Sequence, residues 1–405
     1  MIQLLSPRTQ GIAPLKLRLS RNLVRVIKRG HPWVFAEALR RCPDAPPGSQ
    51  AVLLDNQKGR EIARGFYDAH SSLTFRVCTV EPGQTLDERW AAAQLNRALA
   101  LRRALFDETT TAFRLFNGEG DGLPGLVCDI YNETAVIQFD GAGPAGFWHA
   151  DGIAHWLATA VPVNCVYQRP QPRDPARGQG RPLVGETPVG PVPFIENGVW
   201  FTADILAGQK TGFFLDQREN RQRIRPLAAD RRVLNLFGYT GGFSVYAGLG
   251  GAGQVTTVDV AGPALASAVQ HWRLNGLPPA GHRTVAADAF DFLAQAAQNK
   301  EQWELVIADP PSFAPSQEAV PRAIESYRRL IAASAVVTAP DGFLAAASCS
   351  SHISPDTFLA ACEEGISQAR RRATLLGIYG QPADHPTPLA LPEFRYLKFV
   401  LMRIE

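Results

Sequence analysis

Val233-Leu-Asn-Leu236-Phe-Gly238-Tyr-Thr-Gly241-Gly242-Phe-Ser-Val245 is the stretch on which the fold turns. Four residues of strand character run into a glycine-rich turn, and the turn runs into an apolar helical pattern over 243–249. Glycines there let the backbone turn tightly into a helix whose first amides lack intrahelical acceptors and can receive an anion. Working outward, strand-like runs at 233–236, 254–258, 284–286, 305–308 and 342–347 alternate with helical stretches at 243–249, 261–275, 289–298 and 320–338. Strands and helices alternating at these lengths predict a doubly wound α/β domain with a largely parallel sheet. Ligands of such sheets sit at the carboxyl ends of the strands, so the residues just past each strand are the candidates.

After the first strand these are Phe237, Gly238, Tyr239, Thr240 and Gly241. The second strand ends at Asp259, 21 residues beyond Gly238, an acid placed to bind ribose hydroxyls. The third ends at Asp288-Ala289-Phe290, where an acid and an aromatic suit an adenine amino group and face, although Asp288 equally suits a helix N-cap. The fourth ends at Asp309-Pro310-Pro-Ser-Phe313, whose prolines stiffen the turn so that the carboxylate projects from a rigid loop. The fifth runs into Ala347-Ser-Cys349-Ser-Ser351, which makes Cys349 a candidate nucleophile facing the same pocket as Asp309. Cys42, Cys78, Cys128, Cys165 and Cys362 read as packing residues. Gly248-Leu-Gly-Gly-Ala-Gly253 matches a dinucleotide fingerprint literally, but it follows a helix and precedes a strand, which is the wrong context for a ligand.

The chain of 405 residues is long enough for two or three domains, and 45% hydrophobic with 20% charged residues excludes wholesale disorder and fibrous classes. No run of about 18 uncharged apolar residues occurs and the N-terminus lacks a sustained apolar core, so neither membrane spanning nor secretion is expected. Six cysteines without a Cys-x-x-Cys pair argue against zinc or a disulfide framework, and a reducing cytoplasm fits best. Net charge is only +3, yet residues 1–40 hold Arg8, Lys16, Arg18, Arg21, Arg25, Lys28, Arg29 and Arg40 against the single acid Glu37. Positive charge is thus concentrated where a phosphate backbone can use it, although a solvated basic face is the plainer reading. Short apolar runs over 16–85, including 23–27, 51–54 and 73–77, predict a small β domain. A helical pattern at 86–105 followed by strand patterns at 113–116, 125–131 and 134–139 predicts an α+β unit. The Pro-, Gly- and Arg-rich segment 169–182 reads as an exposed loop.

Taken in order along the chain, His31-Pro-Trp-Val-Phe35, Gly118-Glu-Gly-Asp-Gly-Leu-Pro-Gly125, Gly208 to Arg218, the Gly238–Gly242 loop, Asp309-Pro-Pro, Ser348-Cys-Ser350 and Ala383-Asp-His-Pro386 resemble the ribosomal RNA large-subunit methyltransferase I family. The resemblance implies a PUA-like RNA-binding domain over 1–85, a central α+β domain of EEHEE type over 86–190, and a Rossmann-like methyltransferase domain over 191–405 that uses S-adenosylmethionine. It implies that Cys349 attacks carbon 6 of a cytosine so that carbon 5 can accept the methyl group, with Asp309 at the Watson-Crick edge of the base. Phe213, Leu215, Asp216 and Arg218 lie in a segment that folds over the cofactor in this family; Asp309 and Pro310 would also line the cofactor site. The implied partner is 23S-type ribosomal RNA, with no membrane and no metal, and a homodimer is left open. Ser312 departs from the pattern, since close relatives often carry Lys there. His385 has no assigned role beyond packing. Uracil carbon 5, another RNA or small-molecule target, and a non-catalytic RNA-binding assembly factor remain the alternatives.

Overall fold

The computed structural model describes residues 2–7, 11–170 and 180–405. They divide into two compact units, Met1–Gly198 with Thr202–Leu215 and Ala383–Pro392, and Val199–Phe201 with Asp216–Pro382 and Glu393–Glu405. Arg8 and most of the expected 169–182 loop lie outside the described residues.

The first unit opens with β1 (Leu15–Arg18), α1 (Val24–Lys28), β2 (Trp33–Val34), β3 (Ser49–Leu54), β4 (Glu61–Tyr67) and β5 (Phe75–Thr79). The strands form one sheet in the order β1-β3-β4-β5-β2, over a core that includes Leu17, Leu19, Ile27, Val34, Leu53, Tyr67 and Phe75. The run 23–27 corrects the sequence reading, because it is helical. Val24 and Ile27, three residues apart, turn toward this core, while Arg25, Lys28 and Arg29 are exposed. That spacing belongs to a helix and not to a pleat.

Next come α2 (Glu88–Leu105), β6 (Ala112–Asn117), β7 (Leu126–Tyr131), β8 (Thr134–Phe139), α3 (Ala142–Phe147), α4 (Ala150–Ala160), β9 (Cys165–Gln168), β10 (Arg181–Val184), β11 (Val192–Glu196) and β12 (Val199–Ala203). Asp87 caps α2 by accepting the Trp90 amide at 2.9 Å. A second sheet runs β10-β9-β8-β7-β6, and α2, α3 and α4 pack on it through Leu95, Phe147, Trp148 and Leu157. Buried Arg76 and Arg102 and half-buried Arg114 are matched by acids: Arg76 meets Glu119, Arg102 forks onto Asp121, and Arg114 forks onto Asp129 at 2.8 and 2.9 Å. The turn 118–125 also receives residues 383–386. Asp384 accepts the Arg114 amide at 2.9 Å and Asn117 donates to the Pro386 carbonyl at 2.9 Å. His385 is buried in this joint with Nδ1 3.2 Å from Asp384 Oδ1.

The second unit contains α5 (Arg218–Ile224), β13 (Arg232–Leu236), α6 (Gly242–Leu249), β14 (Gln254–Asp259), α7 (Gly262–Leu274), β15 (His282–Ala286), α8 (Ala289–Gln298), β16 (Trp303–Ala308), α9 (Val320–Val337), β17 (Thr338–Ser348), α10 (Pro355–Gln368), β18 (Ala373–Tyr379) and β19 (Lys398–Ile404). Its seven strands run β15-β14-β13-β16-β17-β19-β18, with β19 antiparallel to both neighbours. Successive residues of each strand feed opposite cores. Leu234, Leu236, Val306, Ala308, Leu344 and Ala346 pack against α8, α9 and α10, whereas Val233, Val255, Leu305, Ile307 and Ala345 pack against α5, α6 and α7. Both faces are covered, which is why these strands read as continuous apolar runs. β13 pairs with β14 on one side and β16 on the other, so the strand order reverses at the glycine-rich turn. The five parallel strands and four helices read from the sequence are present; α10, β18 and β19 complete the sheet beyond that reading.

Candidate active site

The turn after β13 is held in a costly backbone shape. Phe237 and Tyr239 have φ of 55° and 46°, and Gly241, the N-cap of α6, has φ of 77°. Left-handed backbone at two non-glycine residues costs of order 1 kcal/mol each or more, and it persists only where neighbours enforce it. Here Gly238 N–H donates to the Val258 carbonyl at 3.0 Å, and Asp259 Oδ2 accepts the Tyr239 amide at 2.8 Å. Beneath the turn, Asn235 donates to Ser244 Oγ at 2.8 Å; Ser244 and Thr257 hydroxyls share a bond of 2.7 Å, and Thr257 lies 2.7 Å from His282 Nε2. Burial drives the His282 imidazole down to about 4, so this network is neutral at physiological pH.

Two glycines cannot be replaced without displacement. A Cβ on Gly238 would lie 2.4 Å from Thr257 Cγ2, and one on Gly241 would lie 2.7 Å from Ala268 Cβ. Helix α6 has no side-chain cap at its N-terminus, which leaves its first amides available to a carboxylate. Asp259 is half-buried, and its Oδ1 accepts the Ala261 amide at 2.9 Å. Asp259 pairs with Ala286 across β14 and β15, which sets Asp288, Ala289 and Phe290 at the end of the neighbouring strand. Asp288 caps α8 by accepting the Phe290 amide at 2.8 Å, and Arg329 stacks over the Phe290 ring. The donor set therefore matches a ligand with ribose hydroxyls, a purine edge and a carboxylate.

At the other side of the switch point, β16 and β17 pair in parallel with Ala308 opposite Ala346. Asp309 and buried Pro310 follow β16, and Cys349 follows β17 half-buried. Ser350 ties the two loops together. Its hydroxyl lies 3.0 Å from Ser312 Oγ and from Tyr327 Oη, and it accepts the Ala314 amide at 3.3 Å. Ser312, the departure from the family pattern, thus serves this bridge. Gln217 donates to Asp309 Oδ2 at 3.0 Å, and its own Oε1 accepts from buried Asn220 at 2.7 Å. Gln217 and Asn220 escaped the sequence reading, although Gln217 stands inside a quoted motif; an amide beside Asp216 and Arg218 carries no signal until the loop is folded.

Asp216 and Arg218 are buried in the same unit, Asp216 accepting the Tyr396 hydroxyl at 2.7 Å. Phe213 falls in the first unit, where its ring meets Phe194 edge-on at 5.1 Å and its amide donates to Tyr131 Oη at 3.2 Å. Leu215 also falls in the first unit, and the other cofactor and catalytic candidates belong to the second. All six cysteines are free thiols. Burial pushes the thiols of Cys78, Cys128 and Cys165 up, and that of Cys362 up to about 12. Among the described residues no group of three His, Cys, Asp or Glu could hold a metal ion, and no helix is long and apolar enough to cross a membrane.

Comparison with known proteins bears directly on this geometry. The family model for S-adenosylmethionine-dependent methyltransferases matches residues 156–375, and that for PUA-like domains matches residues 17–79. A ribosomal RNA large subunit methyltransferase of Deinococcus radiodurans is 38% identical over 403 residues, covering 96% of this chain and 98% of its own length. A ribosomal RNA large subunit methyltransferase I of Aeromonas salmonicida is 34% identical, covering 93% and 96%. The chain belongs to the ribosomal RNA large-subunit methyltransferase I family. As a member of that family it is an S-adenosylmethionine-dependent methyltransferase, with a Rossmann-like domain and a PUA-like N-terminal domain. The fold agrees with that of a SAM-dependent methyltransferase from Streptococcus mutans, at 23% identity and a TM-score of 0.84 over 96% of this chain. A methyltransferase structure solved with SAH, also 23% identical, superposes over 96% of this chain with a TM-score of 0.85. The residues present fit the cofactor: Asp259 and Asp288 are acids of the kind its ribose and adenine call for, and the uncapped amides of α6 suit its carboxylate.

Proposed function

We propose that this chain methylates carbon 5 of a cytosine in 23S-type, large-subunit ribosomal RNA, with Cys349 as the nucleophile. The observation that carries the reading is the Ser350 bridge, which binds the loop of Cys349 to the loop of Asp309. Cys349 is also half-buried at a strand end, whereas burial raises the thiols of Cys78, Cys128, Cys165 and Cys362 away from thiolate chemistry. The relatives from Deinococcus radiodurans and Aeromonas salmonicida are named for large-subunit ribosomal RNA, which supports the substrate class.

Carbon 5 of a pyrimidine is a poor nucleophile. Attack of the Cys349 thiolate on carbon 6 makes carbon 5 enamine-like; after methylation a base takes the carbon 5 proton, and the C–H electron pair left behind re-forms the carbon 5–carbon 6 double bond as Cys349 departs as thiolate. S-adenosylmethionine, when bound, supplies the electrophilic methyl group. Asp309, oriented by the Gln217 amide, would bond the base near ring nitrogen 3. The base must leave its stack to reach these groups, and exposed Arg25, Lys28 and Arg29 of α1 are cations that an RNA backbone can use. A cytoplasmic setting is consistent with six free thiols. Mass mapping of ribosomal RNA from cells with and without the protein tests the reading. The expected result is loss of one 5-methylcytosine from large-subunit RNA; an unchanged map, or loss of a methyl from a ring nitrogen, contradicts it.

A further inference from the structure

Lys398 was no part of the site read from sequence. It opens β19, directly opposite Ser348 in the antiparallel pairing with β17, and Ser348 precedes Cys349. Its side chain is buried, and Nζ donates to the Ser350 carbonyl, just past Cys349, and to the Tyr396 carbonyl at 2.8 Å. The ammonium is therefore held at the carbonyl just past the thiol and at that of Tyr396. Among the described residues Lys398 forms no ion pair with a carboxylate, and a buried cation without one is costly. A neutral donor would serve two carbonyls at less expense, so the placement asks for a function of the charge.

We infer that Lys398 is the cation that keeps Cys349 in its thiolate form, an inference that rests on the reading of Cys349 as the nucleophile. The Cys349 proton goes to solvent before RNA arrives, and Lys398 keeps its own. Lys398 touches neither base nor cofactor in this scheme; it is a positioning residue that acts through the thiol. Burial pushes the Lys398 amine down to about 8, and the neighbouring Cys349 works in the opposite direction. At pH 7 the amine therefore remains mostly charged. The other titratable groups around the pair do not replace it. Tyr327 of α9 hydrogen-bonds Ser350, and burial raises its phenol, so it is neutral; Tyr396 donates its hydroxyl to Asp216; Asp309 on the adjoining loop is an acid and cannot supply positive charge. The thiolate also raises the Tyr327 phenol, which places it within electrostatic reach of the same cluster.

The test is the pH profile of iodoacetamide alkylation of Cys349 in the full chain without RNA, followed by mass spectrometry of its peptide. An ordinary thiol titrates near about 8.5. The wild-type midpoint is expected below that, and Lys398→Gln should slow alkylation at pH 7 by about tenfold, the size of one unit of displacement. Lys398→Arg should stay near wild type. At pH 10 all three should converge, which a mere change of access would not allow. A wild-type midpoint at about 8.5 or above, or a Lys398→Gln profile that matches wild type, overturns the inference. If Lys398→Gln loses cooperative unfolding, the wild-type midpoint and the Lys398→Arg profile decide it. Since no methyl transfer is measured, failure of the nucleophile assignment, seen as a Cys349→Ala protein that still methylates, is a separate result.

Discussion

Gly238 stands between two left-handed residues, Phe237 and Tyr239, in the turn after β13. Its position 2.4 Å from Thr257 Cγ2, measured from where a Cβ would stand, leaves no space for any side chain. Thr257 cannot retreat, because its hydroxyl is engaged by both Ser244 and His282 beneath the turn. Gly238→Ala should therefore shift the turn that Asp259 anchors, costing about 1 to 3 kcal/mol of stability. S-adenosylmethionine affinity should fall at least about tenfold, the equivalent of 1.4 kcal/mol. Thermal unfolding and calorimetric titration read the two effects, and unchanged cofactor affinity would remove the turn from the site. Gly238, Asp259 and Asp309 were legible because their meaning is local, a residue type at a fixed offset from a strand end. Gln217 and Lys398 were not. Each becomes meaningful only through a partner far along the chain, Asp309 for the one and the Cys349 loop for the other.

Helix α1 shows how an element of five residues escapes a pattern reading. Leu23 to Ile27 has the composition of a strand, and periodicity over so few residues distinguishes poorly between a pleat and a single helical turn. The folded element separates cleanly: Ile27 is buried, and Arg25, Lys28 and Arg29 stand exposed with no ion pair among the described residues. Changing the three together to glutamate should weaken RNA binding and reduce the salt slope of log K by about 2 to 3, since each lost phosphate contact releases roughly 0.7 to 0.9 fewer counterions. S-adenosylmethionine binding should be unaffected, because α1 and the cofactor turn belong to different units. Filter binding across a salt series reads the slope; wild-type affinity and slope would make α1 a solvated face and nothing more.

For the whole molecule, the parallel core of the sheet was open to sequence reading because each βα unit declares itself within about 30 residues. The remainder was not, for the same reason inverted. β19 inserts between β17 and β18 in antiparallel sense, so the sheet is closed by a strand that sequence order would place at its edge. Likewise residues 383–392 leave the second unit and dock on the first, where Gly120 lies so close to the Pro386 carbonyl that a Cβ would stand 1.8 Å from it. The Gly118–Gly125 and Ala383–Pro386 motifs, 258 residues apart at Gly125 and Ala383, thus turn out to be two halves of one joint. The chemistry proposed for the molecule rests on a covalent bond between Cys349 and carbon 6 of cytosine, and that bond can be trapped. RNA carrying 5-fluorocytosine at the target has no proton to release from carbon 5, so the wild-type protein with S-adenosylmethionine should stall as a stable adduct whose peptide mass maps to Cys349, and Cys349→Ala should form none. An adduct on any other cysteine, or methyl transfer by Cys349→Ala, would contradict the account.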